Sequence, residues 1–255
     1  MNLSARNVDF RVAQHQILQD VSADFPAGQV SALIGPNGAG KSTLLRLLAA
    51  DQPPTEGAIL VGQQSLLQMS LSERARLRAV MTQSSQVVFD FTVADIIEFG
   101  WHGRQAHKEI ALQEVIHSCA LPSLLARKFN TLSGGEQQRV QFARALLQIW
   151  LPPGETLSRF LLLDEPTASL DVAHELQVLT MAREVARNGV GVIVVLHDLN
   201  LASRFADQLV LLHNGQVIQT GPPQEVLAEA TLSEVYATAL RVEHHAELDR
   251  LVIYS

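Results

Sequence analysis

Gly35-Pro36-Asn37-Gly38-Ala39-Gly40-Lys41-Ser42-Thr43 fits the G-x-x-x-x-G-K-[ST] pattern of a phosphate-binding loop. Val30-Ser31-Ala32-Leu33-Ile34 precedes it and reads as a buried strand, and Leu44-Leu45-Arg46-Leu47-Leu48-Ala49-Ala50 follows and reads as a helix. That strand–loop–helix context is what the motif requires. Glycines let backbone N–H groups close around phosphate oxygens, and the helix N-terminus favours negative charge. Lys41 is expected to reach the β- and γ-phosphates and Ser42 to ligate magnesium.

Outward from this loop, the composition narrows the class. A chain of 255 residues is long enough for one large α/β domain or two smaller lobes. The longest apolar runs, such as Val192-Ile193-Val194-Val195-Leu196, are strand-sized and far short of a membrane span. Met1 to Asp9 lacks the charged-then-apolar layout of a secretory signal, so a soluble, non-secreted chain is expected. Cys119 is the only cysteine, which leaves no intrachain disulfide and suggests a small buried hydrophobe. The formal net charge of −7 argues against general nucleic-acid binding, while a nucleotide site needs only local positive groups.

Residues 3–34 contain short apolar runs broken by turn signals and read as strands with hairpins. Gly57 to Gly62 reads as another strand, and Ser72 to Arg78 as a helix. From about Phe91 to Trp150 the pattern is helical; then come two apolar strands, Phe160 to Leu163 and Val190 to Leu196, with a helix between. Such alternation predicts a parallel sheet, and continuous apolar runs predict that both its faces are covered. The helical stretch is then an inserted lobe.

Three predicted strands thus end in reactive residues: the phosphate loop, Asp164-Glu165, and His197-Asp198. Ligands of open α/β sheets bind at the carboxyl ends of strands. Asp164 is placed to hold magnesium, and Glu165 to act on the water that attacks the γ-phosphate. Leu132-Ser133-Gly134-Gly135-Glu136 opens a helix, and Ser133-x-x-Glu136 is a capping box. Two glycines in its first turn cost about 1 kcal/mol each relative to alanine. Their presence predicts a close backbone approach to something, an anion being the natural candidate, with Ser133 contacting phosphate as well as capping.

Taken together, these segments resemble the ATP-binding subunits of ABC transporters, whose signature Leu132-Ser133-Gly134-Gly135-Glu136 matches almost letter for letter. The resemblance runs over nearly the whole chain. It implies a P-loop NTPase (RecA-like) α/β core with an N-terminal antiparallel β region and an inserted α-helical subdomain. The implied division is one ABC ATPase domain over 1–255: core and β subdomain at about 1–86 and 151–230, helical subdomain at about 87–150, and a C-terminal extension at about 231–255. It also implies ATP and Mg2+ as ligands. Gln83 resembles the glutamine that senses magnesium and links to the helical lobe; Ala168-Ser169-Leu170-Asp171 resembles the D-loop that reaches across a dimer; His197 resembles the switch histidine at the γ-phosphate. In the family two subunits pack head to tail in the presence of ATP, so Ser133, Gly134 and Gly135 would serve the partner copy's nucleotide. One departure concerns adenine: where the family carries a stacking aromatic, this chain has Val12, which implies weaker base discrimination.

Val87 to Gly100 and Val195 to Ala202 resemble importers of haem, iron-siderophores and cobalamin. The long stretch from Gln148 to Arg159, with Trp150 and Pro152-Pro153-Gly154, resembles the haem importers among them. The implied role is an ATPase driving haem import from the cytoplasmic face of a bacterial inner membrane. It would be docked on membrane permease subunits in two copies and linked through them to a periplasmic binding protein. An iron-siderophore or cobalamin importer is the alternative, and a non-transport ABC ATPase of DNA repair or translation the remote one. Direct haem binding is not expected, because His102, His107, His244 and His245 read as exposed histidines of loops or a tail.

Overall fold

The computed structural model describes residues 2–82, 88–168, 170–247 and 249–255. Strands β1 (Asn2–Val12), β2 (His15–Pro26) and β3 (Val30–Ile34) lead into helix α1 (Lys41–Leu48). Then come β4 (Glu56–Val61), β5 (Gln64–Ser65), α2 (Leu71–Leu77) and β6 (Arg78–Met81). Helices α3 (Val93–Glu98), α4 (Lys108–Ser118) and α5 (Gly134–Gln148) follow, joined by short 3-10 turns, so the segment from Phe91 to Trp150 is helical in pieces. The chain continues through β7 (Arg159–Leu163), α6 (Val172–Arg187), β8 (Val190–Val195), α7 (Leu199–Phe205), β9 (Gln208–His213) and β10 (Gln216–Gly221). It closes with α8 (Pro223–Val226), α9 (Glu229–Val235), β11 (Arg241–His245) and β12 (Arg250–Tyr254).

The central sheet has the order β10-β9-β3-β8-β7-β6. β3, β6, β7, β8 and β9 are parallel, and β10 joins the edge antiparallel to β9. Side chains alternate between the two faces of a strand. Val30, Ala32, Ile34, Leu161, Leu163, Val192 and Val194 enter one core with the helices of the inserted and later segments. Leu33, Phe160, Leu162, Ile193 and Val195 enter a second core with α1 and the N-terminal sheet. Both faces are covered, so the strands read as continuous apolar runs rather than alternating ones. The N-terminal sheet, β2-β1-β4-β5, is antiparallel, with Leu3, Ala5 and Val8 of β1 facing Leu18, Val21, Ala23 and Phe25 of β2 in its core.

The helices between β6 and β7 hang from the sheet edge. α5 packs on β6, α3, α4 and α6. The Gln148 amide donates to the carbonyls of Ala75 (3.1 Å) and Arg78 (2.9 Å), tying the end of α5 to α2 and β6. The long stretch after α5 is anchored as well: the Trp150 indole N–H donates to Glu114 at 2.7 Å, and its ring lies 6.1 Å from that of Trp101 and 6.2 Å from that of His107. Cys119 is buried, and burial pushes its thiol up to about 11.

β11 and β12 pair antiparallel, and β12 is seated on α7. The Asn200 side chain donates to the Ile253 carbonyl (3.0 Å) and accepts from the Ile253 N–H (2.9 Å), and Ser203 Oγ donates to the Leu251 carbonyl (3.0 Å). His244 and His245, expected in a loop or tail, lie on β11 with exposed side chains. His102 is exposed in a loop, and half-buried His107 ends a 3-10 turn. Among the described residues no helix is long and apolar enough to cross a membrane.

Candidate nucleotide site

β3, β7 and β8 are neighbours and parallel, so the turns that follow them leave the same edge of the sheet. After β3 the chain wraps from Gly35 to Gly40 and enters α1. Gly35 (φ +139°) is forced by space as well as angle, because a Cβ there would sit 2.1 Å from the Leu212 carbonyl oxygen. Gly38 (φ +80°) meets nothing within 4 Å; only its backbone angle asks for glycine, and it is exposed beside Asn37. Ala39 is buried, Pro36 half-buried, and Thr43 lies half-buried in the first turn of α1.

Lys41 is only 5% exposed. Its ammonium donates to the carbonyls of Gly35 (2.8 Å) and Pro36 (2.9 Å), so the lysine closes the loop on itself. Burial lowers its pKa, and the charges of Glu165 and Asp164 oppose that shift. Asp164, 7% exposed, accepts the Ser42 hydroxyl at 2.8 Å, and its N–H extends the ladder by donating to Met81. Ser42 and Asp164 therefore meet through hard oxygen donors, the set that magnesium takes. Next to them Glu165 has φ +48°, a left-handed backbone on a residue with a Cβ. Such angles cluster at functional sites. Glu165 Oε1 lies 2.7 Å from His197 Nε2. His197 follows β8, and Asp198 then caps α7 by accepting from the N–H groups of Asn200 and Leu201.

Ser133, Gly134, Gly135 and Asp171 lie at the starts of two other helices, α5 and α6. Ser133 caps α5, and the capping box with Glu136 is complete. A Cβ on Gly134 would point towards Leu170, and one on Gly135 towards His174. The sequence reading gave both glycines one reason, the approach of an anion. The structure divides them. A Cβ on Gly134 would meet only Leu170 Cδ2, at an ordinary 3.9 Å, whereas a Cβ on Gly135 would lie 2.1 Å from His174 Cδ2. Gly135 thus has a reason inside its own chain. Asp171 caps α6, accepting from the His174 backbone N–H (3.0 Å) and lying 2.8 Å from His174 Nδ1. Those contacts hold the Asp171 carboxyl below its usual range, the backbone hydrogen bond being the larger cause. Gln83 and Ser169 lie outside the described residues. Val12, 55% exposed, sits at the β1–β2 turn opposite His15.

Sequence reasoning missed three residues. His174 fills the space over Gly135, Asn200 grips the C-terminal hairpin, and Tyr236 reaches the start of the phosphate loop. The Tyr236 hydroxyl is buried against the Gly35 backbone without full hydrogen-bond geometry, and burial pushes it up to about 12. Only Asn200 lay within a stretch singled out in the sequence, Val195 to Ala202, where it was given no role.

The chain is similar to known proteins along nearly its whole length. The ABC transporter family pattern matches residues 18–168. The chain is 42% identical to the hemin import ATP-binding protein HmuV of Rhodopseudomonas palustris over 96% of its own length and 94% of that protein. It is also 42% identical to the protein of the same name from Agrobacterium fabrum, over 92% and 90%. Its fold superposes on a metal-chelate type ABC transporter in an inward-facing conformation with a TM-score of 0.82 at 24% identity, covering 99% of this chain and 96% of that one. A family match over more than half of the chain, relatives similar along nearly its full length, and a shared fold lead to one statement: this chain belongs to the ABC transporter family.

Proposed function

We propose that the chain is the ATP-hydrolysing subunit of a hemin importer, held at the cytoplasmic face of the inner membrane by its permease. The observation that carries the cargo is similarity to hemin import ATP-binding proteins along nearly the whole of both chains. The phosphates of ATP lie along residues 35–43, with Lys41 exchanging the carbonyls of Gly35 and Pro36 for β- and γ-oxygens. Magnesium, held by Ser42, Asp164 and Gln83, would offset charge on the transferred phosphoryl group. Glu165 orients the attacking water, and His197, already beside Glu165, contacts the γ-phosphate. Two copies close head to tail on ATP, Ser133, Gly134 and Gly135 of each facing the nucleotide of the other beside the Asp171 turn.

Residues 87–150 act as the lobe that conveys closure to the permease. Exposed aromatic side chains support this: Phe89 is 70% exposed and Phe99 54%, each edge-on to Phe91, with Val88 at 82% alongside. Contiguous exposed apolar surface of this kind marks interaction sites. The test is ATP turnover by the chain co-purified with its permease and binding protein, measured with hemin, a ferric siderophore and cobalamin. Stimulation by hemin alone is expected. Stimulation by either of the others in its place would overturn the cargo, and no turnover with Mg2+-ATP would overturn the ATPase reading.

A further inference from the structure

We propose that Asn37 is a site of spontaneous covalent modification: its amide converts to a carboxylate through the Gly38 backbone nitrogen, which spoils the loop for nucleotide, and bound nucleotide prevents the conversion. The protection rests on the reading of residues 35–43 as the loop that takes the phosphates of ATP. The reactivity of the pair rests on its own geometry.

Asparagine before glycine is prone to this reaction because glycine has no Cβ to hinder the ring that forms. The chain has Asn-Gly at Asn37–Gly38, Asn188–Gly189 and Asn214–Gly215. In each pair the attacking atom is the glycine nitrogen, and a hydrogen bond on its N–H holds it back. The Gly189 N–H donates to the Ala186 carbonyl at 2.8 Å, and the Gly215 N–H to the Ala39 carbonyl at 3.2 Å. Asn214 is held at its amide as well, with Nδ2 3.0 Å from His213 Nε2. The Gly38 N–H donates to no group among the described residues. The turn explains why. The Ala39 N–H donates to the Pro36 carbonyl at 3.2 Å, so Asn37 and Gly38 are the two central residues, whose N–H groups lie outside the turn's own hydrogen bond. Both residues are exposed, and nothing stands within 4 Å of where a Gly38 Cβ would be.

The steps balance with water as the only co-reactant. Hydroxide takes the Gly38 N–H proton, and the nitrogen bonds to Asn37 Cγ. The Cγ–Nδ2 bond then breaks, and ammonia leaves with a proton from solvent. Water opens the resulting five-membered imide at either carbonyl, giving aspartate or isoaspartate. Aspartate sets a negative charge where phosphates must lie, and isoaspartate also lengthens the main chain by one carbon, which disturbs the spacing of the N–H cradle. Phosphate oxygens that accept the loop N–H groups, Gly38 among them, would engage the nucleophile and fix the turn.

The full-length chain, incubated at mildly alkaline pH with and without Mg2+ and a non-hydrolysable ATP analogue, tests this by peptide mass mapping and by isothermal titration. Without nucleotide, Asn37 should convert about two- to tenfold faster than Asn188 or Asn214, the worth of a hydrogen bond on the attacking N–H. With the analogue at about 100 times its Kd, Asn37 conversion should slow by about 100-fold, because only the unbound fraction reacts, while Asn188 and Asn214 keep their rates. Nucleotide affinity of the wild type should be lost in step with the converted fraction. Asn37→Ser, which cannot form the ring, should keep its own starting affinity through the same incubation, and Asn37→Asp should bind about tenfold more weakly than the unaged wild type, or worse. Conversion at Asn188 or Asn214 ahead of Asn37 would overturn the proposal, as would equal conversion of Asn37 with and without bound nucleotide, or undiminished affinity in Asn37→Asp. A chain that binds no nucleotide before ageing would sink the ATPase reading instead, and the order of conversion among the three pairs would still decide whether Asn37 is the reactive site.

Discussion

The phosphate loop and the signature turn both open helices with glycine, and they use it in opposite ways. The phosphate loop closes on its own chain: Gly35 is pinned against Leu212, Lys41 holds the loop carbonyls, and Ser42 meets Asp164. The signature turn is split: Gly135 faces inward onto His174, and Gly134 faces open space beyond Leu170. One turn is tied down by side chains and backbone of its own chain. The other is a rigid mount carrying one surface that its own chain leaves uncovered. A glycine pair in sequence does not reveal which of these it is; the neighbours of each missing Cβ do.

Substitutions on the two sides should fail differently. The largest effect is expected at Glu165, where Glu165→Gln should retain ATP and lower turnover by about 100-fold or more, read in single-turnover assays, since a positioned base is worth that much. Near-normal turnover would remove Glu165 from the reaction. On the self-contained side, Gly35→Ala should abolish nucleotide binding and destabilise the fold by about 1–3 kcal/mol, measured by isothermal titration and denaturant unfolding, because the methyl group would press into a backbone oxygen that cannot swing aside. On the open side, Gly134→Ala should do the reverse. Tm should hold or rise, since alanine favours a helix by up to about 1 kcal/mol, while turnover falls and binding to the same chain's loop is kept. A fall in Tm would show that the position is not open after all. On the permease side, Phe89→Ser should leave basal turnover intact and reduce stimulation by hemin in the assembled importer; loss of all nucleotide binding would point to a structural role instead. The smallest effect is expected at Val12, where Val12→Ala should leave the ratio of ATP to GTP hydrolysis unchanged; a collapse of a strong ATP preference would show that this valine does hold the base.

The core strands were legible because their information is local. A parallel sheet covered on both faces demands runs such as Phe160–Leu163 and Val190–Val195, and the loop after each run carries its own chemistry. The meeting of Ser42 with Asp164, and of Glu165 with His197, followed from strand ends alone. What stayed hidden depends on approach between distant segments. Nothing local to His174 reveals that its ring occupies the place of a side chain at Gly135, and nothing in Tyr236 reveals Gly35. The residues of 231–255 read as an extension of no stated form. The strand β12 is held on α7 by burial of Ile253, by Ser203 at the Leu251 carbonyl, and by Asn200, whose amide offers the Ile253 backbone the donor and acceptor that a neighbouring strand would. Removing that amide with Asn200→Ala should cost about 1–2 kcal/mol in unfolding free energy, the worth of the lost pair.

The position of β3 has a consequence for how the protein is made. This strand carries the phosphate loop, and it lies between β8 and β9, with Val30 paired to Val192 and Ser31 to Gln208. Neither neighbour has been synthesised when β3 leaves the ribosome. At synthesis rates of about 5–20 residues per second, about 10–30 s pass before both of its edges can be paired. Through that interval an apolar strand with two bare edges must be shielded, by the N-terminal hairpin or by a chaperone, and ATP cannot help because its site does not yet exist. Nascent chains stalled short of β8 should therefore be protease-sensitive whether or not nucleotide is added, and chains stalled beyond β10 should gain protection from it.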